Sequence, residues 1–392
     1  MRRSELSSRL RELEQTGLTR RRRVVEGPQG PHLRVDGATY LQFCSNDYLG
    51  LASHPALARA AGRALEEYGV GAGASGHLCG HTRVHEALEE RLARFVGMPR
   101  TLHFSTGYMA NLGVLPSLAG AGDVIFSDRL NHASLIDAAR LSRADVVVYP
   151  HCDVEALDLQ MRQSTQRCKL VVTDAVFSMD GDLAPLPQLL AVCERHDAWL
   201  VVDDAHGFGV LGQSGAGSLS HWGLRSERIV YVGTLGKAAG VFGAFVAADP
   251  DVVEWILQRA RTYMFTTASP PLLAGALLAA LDVIESEPWR RQHLARLIER
   301  IGSALRELRW RALPSATAIQ PLIIGSNSEA MSLMESLRRD GIWVPAIRPP
   351  TVPPGTARLR ISLSAAHTEQ DLERLLNALR EVAREAGPAG AA

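Results

Sequence analysis

The stretch Trp199-Leu-Val-Val-Asp-Asp-Ala-His-Gly207 decides the fold. Its apolar residues run without alternation into a pair of acids. Thirty residues earlier Lys169-Leu-Val-Val-Thr-Asp174 is likewise apolar without alternation. Apolar runs of this kind are strands buried on both faces, as in a mostly parallel sheet covered by helices. The acid pair after the first run falls where open α/β sheets bind ligands, at the carboxyl edge.

Working outward, helical patterns at 55–68, 83–96, 108–118, 133–141, 154–163 and 187–196 alternate with seven β-rich runs. These runs are 101–105, 123–126, 145–149, 169–174, 199–203, 229–233 and 242–247. The alternation predicts a large α/β domain over 45–250. From 250 to 306 long helices dominate. β-rich segments near 318–324 and 357–363 and a helix at about 367–384 follow, so 251–385 reads as interdomain helices and a smaller α+β domain. Residues 1–44 hold a short amphipathic helix with Leu6, Leu10 and Leu13 on one face, then strands at His32–Val35 and 39–43. This segment is expected to join the smaller domain. The small-residue tail 386–392 is expected to be disordered.

Composition narrows the function classes. The 392 residues are 46% hydrophobic and 21% charged, ordinary for a soluble globular chain. Forty-two basic residues balance 42 acidic ones, so no net field draws nucleic acid or anionic membrane. The apolar run around 272–283 is too short for a ~20-residue transmembrane helix, and the N-terminus has no apolar signal core. Five cysteines without a C-x-x-C pair argue against a disulfide or zinc framework and fit a reducing cytoplasm.

Four local patterns carry chemistry. Gly233-Thr-Leu-Gly-Lys-Ala-Ala-Gly240 follows an apolar strand directly. A lysine there is partly desolvated; desolvation favours the neutral amine, the form that makes Schiff bases. A loop lysine among turn glycines fits equally well. Asp203 and Asp204 offer a carboxylate that can hold a pyridine nitrogen protonated; a helix cap or salt bridge is the plainer role. Ser105-Thr-Gly-Tyr-Met-Ala-Asn111 runs from strand to helix through a glycine turn, and helix N-terminal N–H groups bind phosphate. In Asp128-Arg-Leu-Asn-His-Ala-Ser134, His132 stands where a ring can stack on a planar cofactor. Each fits a structural role alone; four in order at strand ends of one domain do not arise readily by chance.

With these patterns in hand, the chain resembles the α-oxoamine synthases, pyridoxal 5′-phosphate enzymes of the aspartate-aminotransferase fold type. The resemblance runs from about Arg20 to Val382. It is carried by Ser45-Asn-Asp-Tyr-Leu-Gly-Leu51, Val176-Phe-Ser-Met-Asp-Gly-Asp182, Asp203-Asp-Ala-His-Gly207, Gly233-Thr-Leu-Gly-Lys237 and Ser362-Leu-Ser-Ala-Ala-His-Thr368. The loop from Ile347 to Arg360 is similar to the branch that uses alanine in biotin synthesis rather than glycine or serine.

The resemblance implies a decarboxylative condensation of L-alanine with a pimeloyl thioester, carried by acyl carrier protein or coenzyme A. Lys237 would hold the coenzyme and later take the α-proton. Asp203 would pair with the pyridine nitrogen, His206 would bond the ring oxygen beside Ser178, and His132 would stack on the ring. Gly107, Tyr108 and Thr234 would hold the phosphate. Thr266 or Thr267 would reach the phosphate of a partner subunit, because the family is homodimeric with shared sites. Asn46 and Arg360 would grip the amino-acid carboxylate, and Arg20 and Thr351 would contact the acyl substrate. Phe242 and Tyr108 depart from the family's commonest residues without removing a reacting group. Sister reactions on glycine or serine would use the same Lys237, Asp203 and His206.

Two patterns mislead. Gly71-Ala-Gly-Ala-Ser-Gly76 satisfies G-x-G-x-x-G but follows a helical pattern rather than a strand, so a dinucleotide site is not expected. His77, His81 and His85 have helical metal-ligand spacing, but Gly80 interrupts the helix and no carboxylate pattern completes a site; no metal is expected. The basic run Arg20 to Arg23 reads as a solvated face rather than a nucleic-acid arm, or as a lure for an anionic acyl carrier, in which case the arginines would also pair with the distal carboxylate of a dicarboxylic acyl chain.

Overall fold

A computed structural model describes residues 3–16, 18–20 and 22–385; the expected tail at 386–392 and Arg21 lie outside the described residues. The central sheet has seven strands: β1 Arg100–Phe104, β2 Val124–Asp128, β3 Asp145–Tyr149, β4 Lys169–Asp174, β5 Trp199–Asp203, β6 Ile229–Thr234 and β7 Ala244–Ala248. Their order is β1-β7-β6-β5-β4-β2-β3. Only β7 runs antiparallel to its neighbours, β1 and β6, while β2, β3, β4, β5 and β6 pair in parallel.

The unbroken apolar runs have a direct explanation. Side chains alternate across a strand, and here both faces are covered. Val171, Leu200, Val202, Tyr231 and Phe245 join one buried cluster. Leu170, Val172, Val201, Val230 and Val246, offset by one residue, join a second. A strand so placed has no polar face to alternate with. The outermost strand, β3, shows the contrast: Val146 and Val148 are exposed.

Two smaller sheets lie outside this layer. Val25–Glu26, His32–Val35 and Ala38–Gln42 form a meander joined by Ile342–Trp343 from the C-terminal third, so the N-terminal segment does pair with late sequence. Arg311–Ala312, Ile319–Gly325, Ala357–Ser362 and Ala346–Ile347 form the other. The helical region expected over 250–306 is four helices, interrupted at Ala260 and at Pro270 and Pro288. Pro288, two residues past Ser286, lacks the N–H that would continue the preceding helix. The N-terminal helix Arg3–Gln15 forms, yet Leu6, Leu10 and Leu13 stay exposed. Among the described residues no helix is long and apolar enough to cross a membrane.

Candidate active site

The carboxyl edge of the parallel strands carries the site. β1 ends into Thr106, whose hydroxyl accepts the Met109 N–H at 3.1 Å and caps helix Gly107–Leu118. β2 ends at Asp128, four residues before His132, and β4 at Asp174. β5 ends at Asp203, three residues before His206, and β6 at Thr234, three before Lys237. One cavity of about 370 Å³ is lined by residues from all five strand ends, among them Asn46, Gly107, Tyr108, His132, Ser178, Asp203, His206, Thr234 and Lys237. That size lies within the usual ~300–1,000 Å³ of ligand pockets. Gly107 is required where it stands: a Cβ there would lie 2.6 Å from the Thr234 methyl.

Lys237 has no hydrogen-bonding or ionic partner among the described residues. Burial pushes its ammonium below the ordinary lysine value, against the pull of Asp203 and Asp174. Asp203 is buried. One of its carboxyl oxygens accepts Asn111 Nδ2 at 2.6 Å, the other the Ala205 N–H at 3.0 Å. Asn111 also donates to Ser134 Oγ at 2.9 Å, leaving its own Oδ1 buried and unpartnered.

His132 is fixed from both sides. Its backbone N–H donates to Asp174 Oδ2 at 2.6 Å, and its Nδ1 lies 2.7 Å from Ser134 Oγ. Burial lowers the His132 pKa. Burial, then the Asp203 charge, raises that of Asp174 well above the carboxylate range. His206 Nδ1 meets the Tyr48 hydroxyl at 2.6 Å, and burial with nearby Lys237 holds its imidazole well below the usual value.

Asp204 separates from its neighbour. It faces away, accepting the Ser218 N–H at 2.6 Å and the Tyr231 hydroxyl at 2.8 Å. Burial raises its pKa to about 7. The folded state therefore holds a proton there that the unfolded chain has released, and folding stability declines as pH rises from about 4 to about 7. Asp204→Asn, compared with wild type in urea unfolding across that range, is expected to flatten the decline.

Arg360 and Asn46 meet across 314 residues of sequence: both terminal guanidinium nitrogens lie 3.3 Å from Asn46 Oδ1. Arg360 also donates to the Ser178 carbonyl at 2.6 Å. Ser178 lines a second cavity as well, of about 780 Å³, which holds Thr351. Arg20 Nη2 reaches Thr351 Oγ1 at 3.4 Å. Arg20 and Thr351 are thus placed together, one cavity away from Lys237.

Thr266 and Thr267 are not brought to the cofactor-sized cavity. They line a separate small one beside His81, His85 and His103; Thr267 is exposed and Thr266 half-buried. His77, His81 and His85 do not share one helix, since a π-helical turn spans Gly76–Gly80 and the α-helix starts at Arg83. His85 closes a capping box with Thr82. The sequence showed no carboxylate beside His81; the fold brings Glu86 and Glu89 to it, with His81 paired to Glu86 at 2.8 Å.

Sequence reasoning gave no role to Asn111, Ser134, Asp174 or Tyr48. Asp174 ends an apolar strand just as Asp203 does, which is the signal that would have found it. Asn111 stands one helical turn after Gly107 and faces inward for that reason.

A sequence model of the aminotransferase class I and II family matches residues 38–379. The chain is 60% identical to the 8-amino-7-oxononanoate synthase of Nitrosomonas europaea over 97% of its length and 99% of the relative's. It is 59% identical to the enzyme of the same name from an Azoarcus strain, over 93% and 94%. Among solved structures, serine palmitoyltransferase from S. paucimobilis with bound PLP–myriocin superposes with a TM-score of 0.92 at 30% identity, covering 98% of both chains. The 8-amino-7-oxononanoate synthase of Francisella tularensis does so with a TM-score of 0.78 at 30% identity, covering 88% of this chain and 99% of that one. The chain belongs to the aminotransferase class I and II family and, within it, to the group of 8-amino-7-oxononanoate synthases.

Proposed function

We propose that this chain is a pyridoxal 5′-phosphate-dependent acyltransferase that condenses L-alanine with a pimeloyl thioester. The products are 8-amino-7-oxononanoate, CO2 and the free carrier thiol, in biotin biosynthesis. The observation that carries this reading is the unpaired Lys237 amine in one cavity with Asp203, His132, His206 and an open helix N-terminus.

The residues fit the coenzyme. An amine without an ion-pair partner is free to form an imine. A glycine at residue 107 leaves space where any side chain would collide with Thr234, and the N–H groups at that helix start suit a phosphate. Bound there, pyridoxal phosphate supplies an aldehyde that captures amines and a protonated ring that accepts an electron pair from the α-carbon.

The chain's own residues do the rest. Asp203, held by Asn111 and the Ala205 N–H, keeps a proton on the ring nitrogen. Lys237 would hold the coenzyme and would move the proton at the alanine α-carbon. His132 would cover the ring, and His206, held by the Tyr48 hydroxyl, would bond its oxygen beside Ser178. Gly107, Tyr108 and Thr234 hold the phosphate. Arg360 and Asn46 bind the alanine carboxylate, a bidentate match for a guanidinium. Arg20 and Thr351 contact the acyl donor in the adjoining cavity.

The working unit is a homodimer in which Thr266 and Thr267 reach the phosphate in the partner's cavity. Their position outside their own chain's cavity supports this, as do the highly exposed Phe265 and Leu78 nearby. Five free thiols support a cytoplasmic setting.

Mass spectrometry tests the reaction. Coenzyme-loaded protein given L-alanine and pimeloyl-coenzyme A, or pimeloyl carrier protein, is expected to form 8-amino-7-oxononanoate. Product from glycine or serine but not from alanine would overturn the assignment.

A further inference from the structure

The cavity beyond Ser178 is walled by apolar side chains, among them Leu130, Ile136, Phe177, Leu313 and Val352. Set into these walls are three arginines and one acid, Asp180. Arg358 is buried and committed: it donates to the Asp180 carboxylate and, at 3.2 Å, to the Met179 carbonyl. Arg129 and Arg311 have no hydrogen-bonding or ionic partner among the described residues. Arg129 follows β2 directly and stands three residues before His132. Arg311 comes from the strand Arg311–Ala312 of the C-terminal sheet. Two walls distant in sequence thus each present a free guanidinium to one apolar cavity, and that cavity shares Ser178 with the Lys237 site.

Such a cavity suits an apolar chain that ends in an anion. We propose that Arg129 and Arg311 receive the distal carboxylate of the acyl chain and so set a preference for dicarboxylic acyl donors. This rests on the acyl-transfer reading above and deepens it. A thioester carries a second anion, the phosphate of the pantetheine arm. That arm brings two amides, which lose hydrogen bonds to water against apolar walls; the methylenes of a dicarboxylic acyl chain lose none. Guanidinium–carboxylate pairs are also the stronger, directional kind of hydrogen bond.

The two anions separate experimentally, because every thioester on the carrier has the phosphate and only dicarboxylic ones have the distal carboxylate. Pimeloyl and heptanoyl groups have equal chain length and differ in that carboxylate. Both would be presented on the same carrier, coenzyme A or carrier protein, whichever supports turnover by the wild type. The readout is the ratio of kcat/KM for pimeloyl over heptanoyl, in wild type and in Arg129→Ala/Arg311→Ala. Both side chains are exposed and unpaired, so the double variant is expected to fold.

The wild type is expected to favour pimeloyl, and the double variant to lower that ratio by about 10- to 100-fold, the effect of losing charged hydrogen bonds. Arg129→Lys/Arg311→Lys should restore part of it. A ratio unchanged in the alanine variant overturns the proposal, and equal losses on both donors, the signature of a phosphate contact, are one form of that result. A wild type without preference overturns it too. Failure of the underlying reaction is distinct, since then the wild type makes no product from alanine and either donor.

Discussion

Replacing Lys237 by alanine is expected to lower turnover by about 10⁴-fold or more, the upper range for a positioned acid–base group. The visible absorbance of lysine-bound coenzyme should vanish with it. Burial lowers the pKa of Lys237, and the amine lacks any partner that would compete for it. No neighbour can substitute. The chain has one other lysine, Lys169, and it begins β4, at the opposite edge of the sheet from the site. Removing a side chain that nothing else contacts by hydrogen bond should leave the fold intact, so coenzyme should still bind noncovalently. Coenzyme titration, absorbance and turnover together check this; near-wild-type turnover would refute the role.

Asp203→Asn is expected to lower kcat by at least about 10²-fold, or ~3 kcal/mol, the scale for losing one preorganised electrostatic contact. The substitution keeps shape and removes charge. Without that charge the ring nitrogen loses its proton and the ring becomes a poor acceptor of electrons. Asp204→Asn is the matched control. Adjacent in sequence, its carboxylate is committed to Ser218 and Tyr231, so it should leave kcat within a few-fold while altering stability. Comparable loss of kcat in both variants would mean that burial of charge, rather than contact with the coenzyme, explains the first effect.

The contrast between these neighbours shows what the sequence holds. Period-two alternation puts successive strand residues on opposite faces, so one of the two acids had to point away; which one was decided by resemblance and not by pattern. The strands and helices of the large sheet were legible almost to their ends, because unbroken apolar runs and amphipathic helices repeat at different periods. The site residues at the strand ends were legible for the same reason: chain direction puts every carboxyl end on one edge.

What escaped depends on distance along the chain. The Asn46–Arg360 contact spans 314 positions, and no local period encodes it. The Tyr48–His206 hydrogen bond spans 158. The link between the two cavities at Ser178 requires the C-terminal sheet to lie against loops of the large one. Thr266 and Thr267 line a cavity other than that of Lys237; resemblance, not a local pattern, singles them out. The exposed leucines of the N-terminal helix show the limit of periodicity: it specifies a face without specifying what covers it.

The account turns on which amine holds the coenzyme, and that can be read directly. Reducing the coenzyme-loaded protein with borohydride fixes an imine as a stable secondary amine, and peptide mass spectrometry then locates it. The expected result is a pyridoxyl phosphate group on Lys237 alone. Its appearance on Lys169, or on no lysine in protein that nonetheless forms 8-amino-7-oxononanoate, would contradict the account.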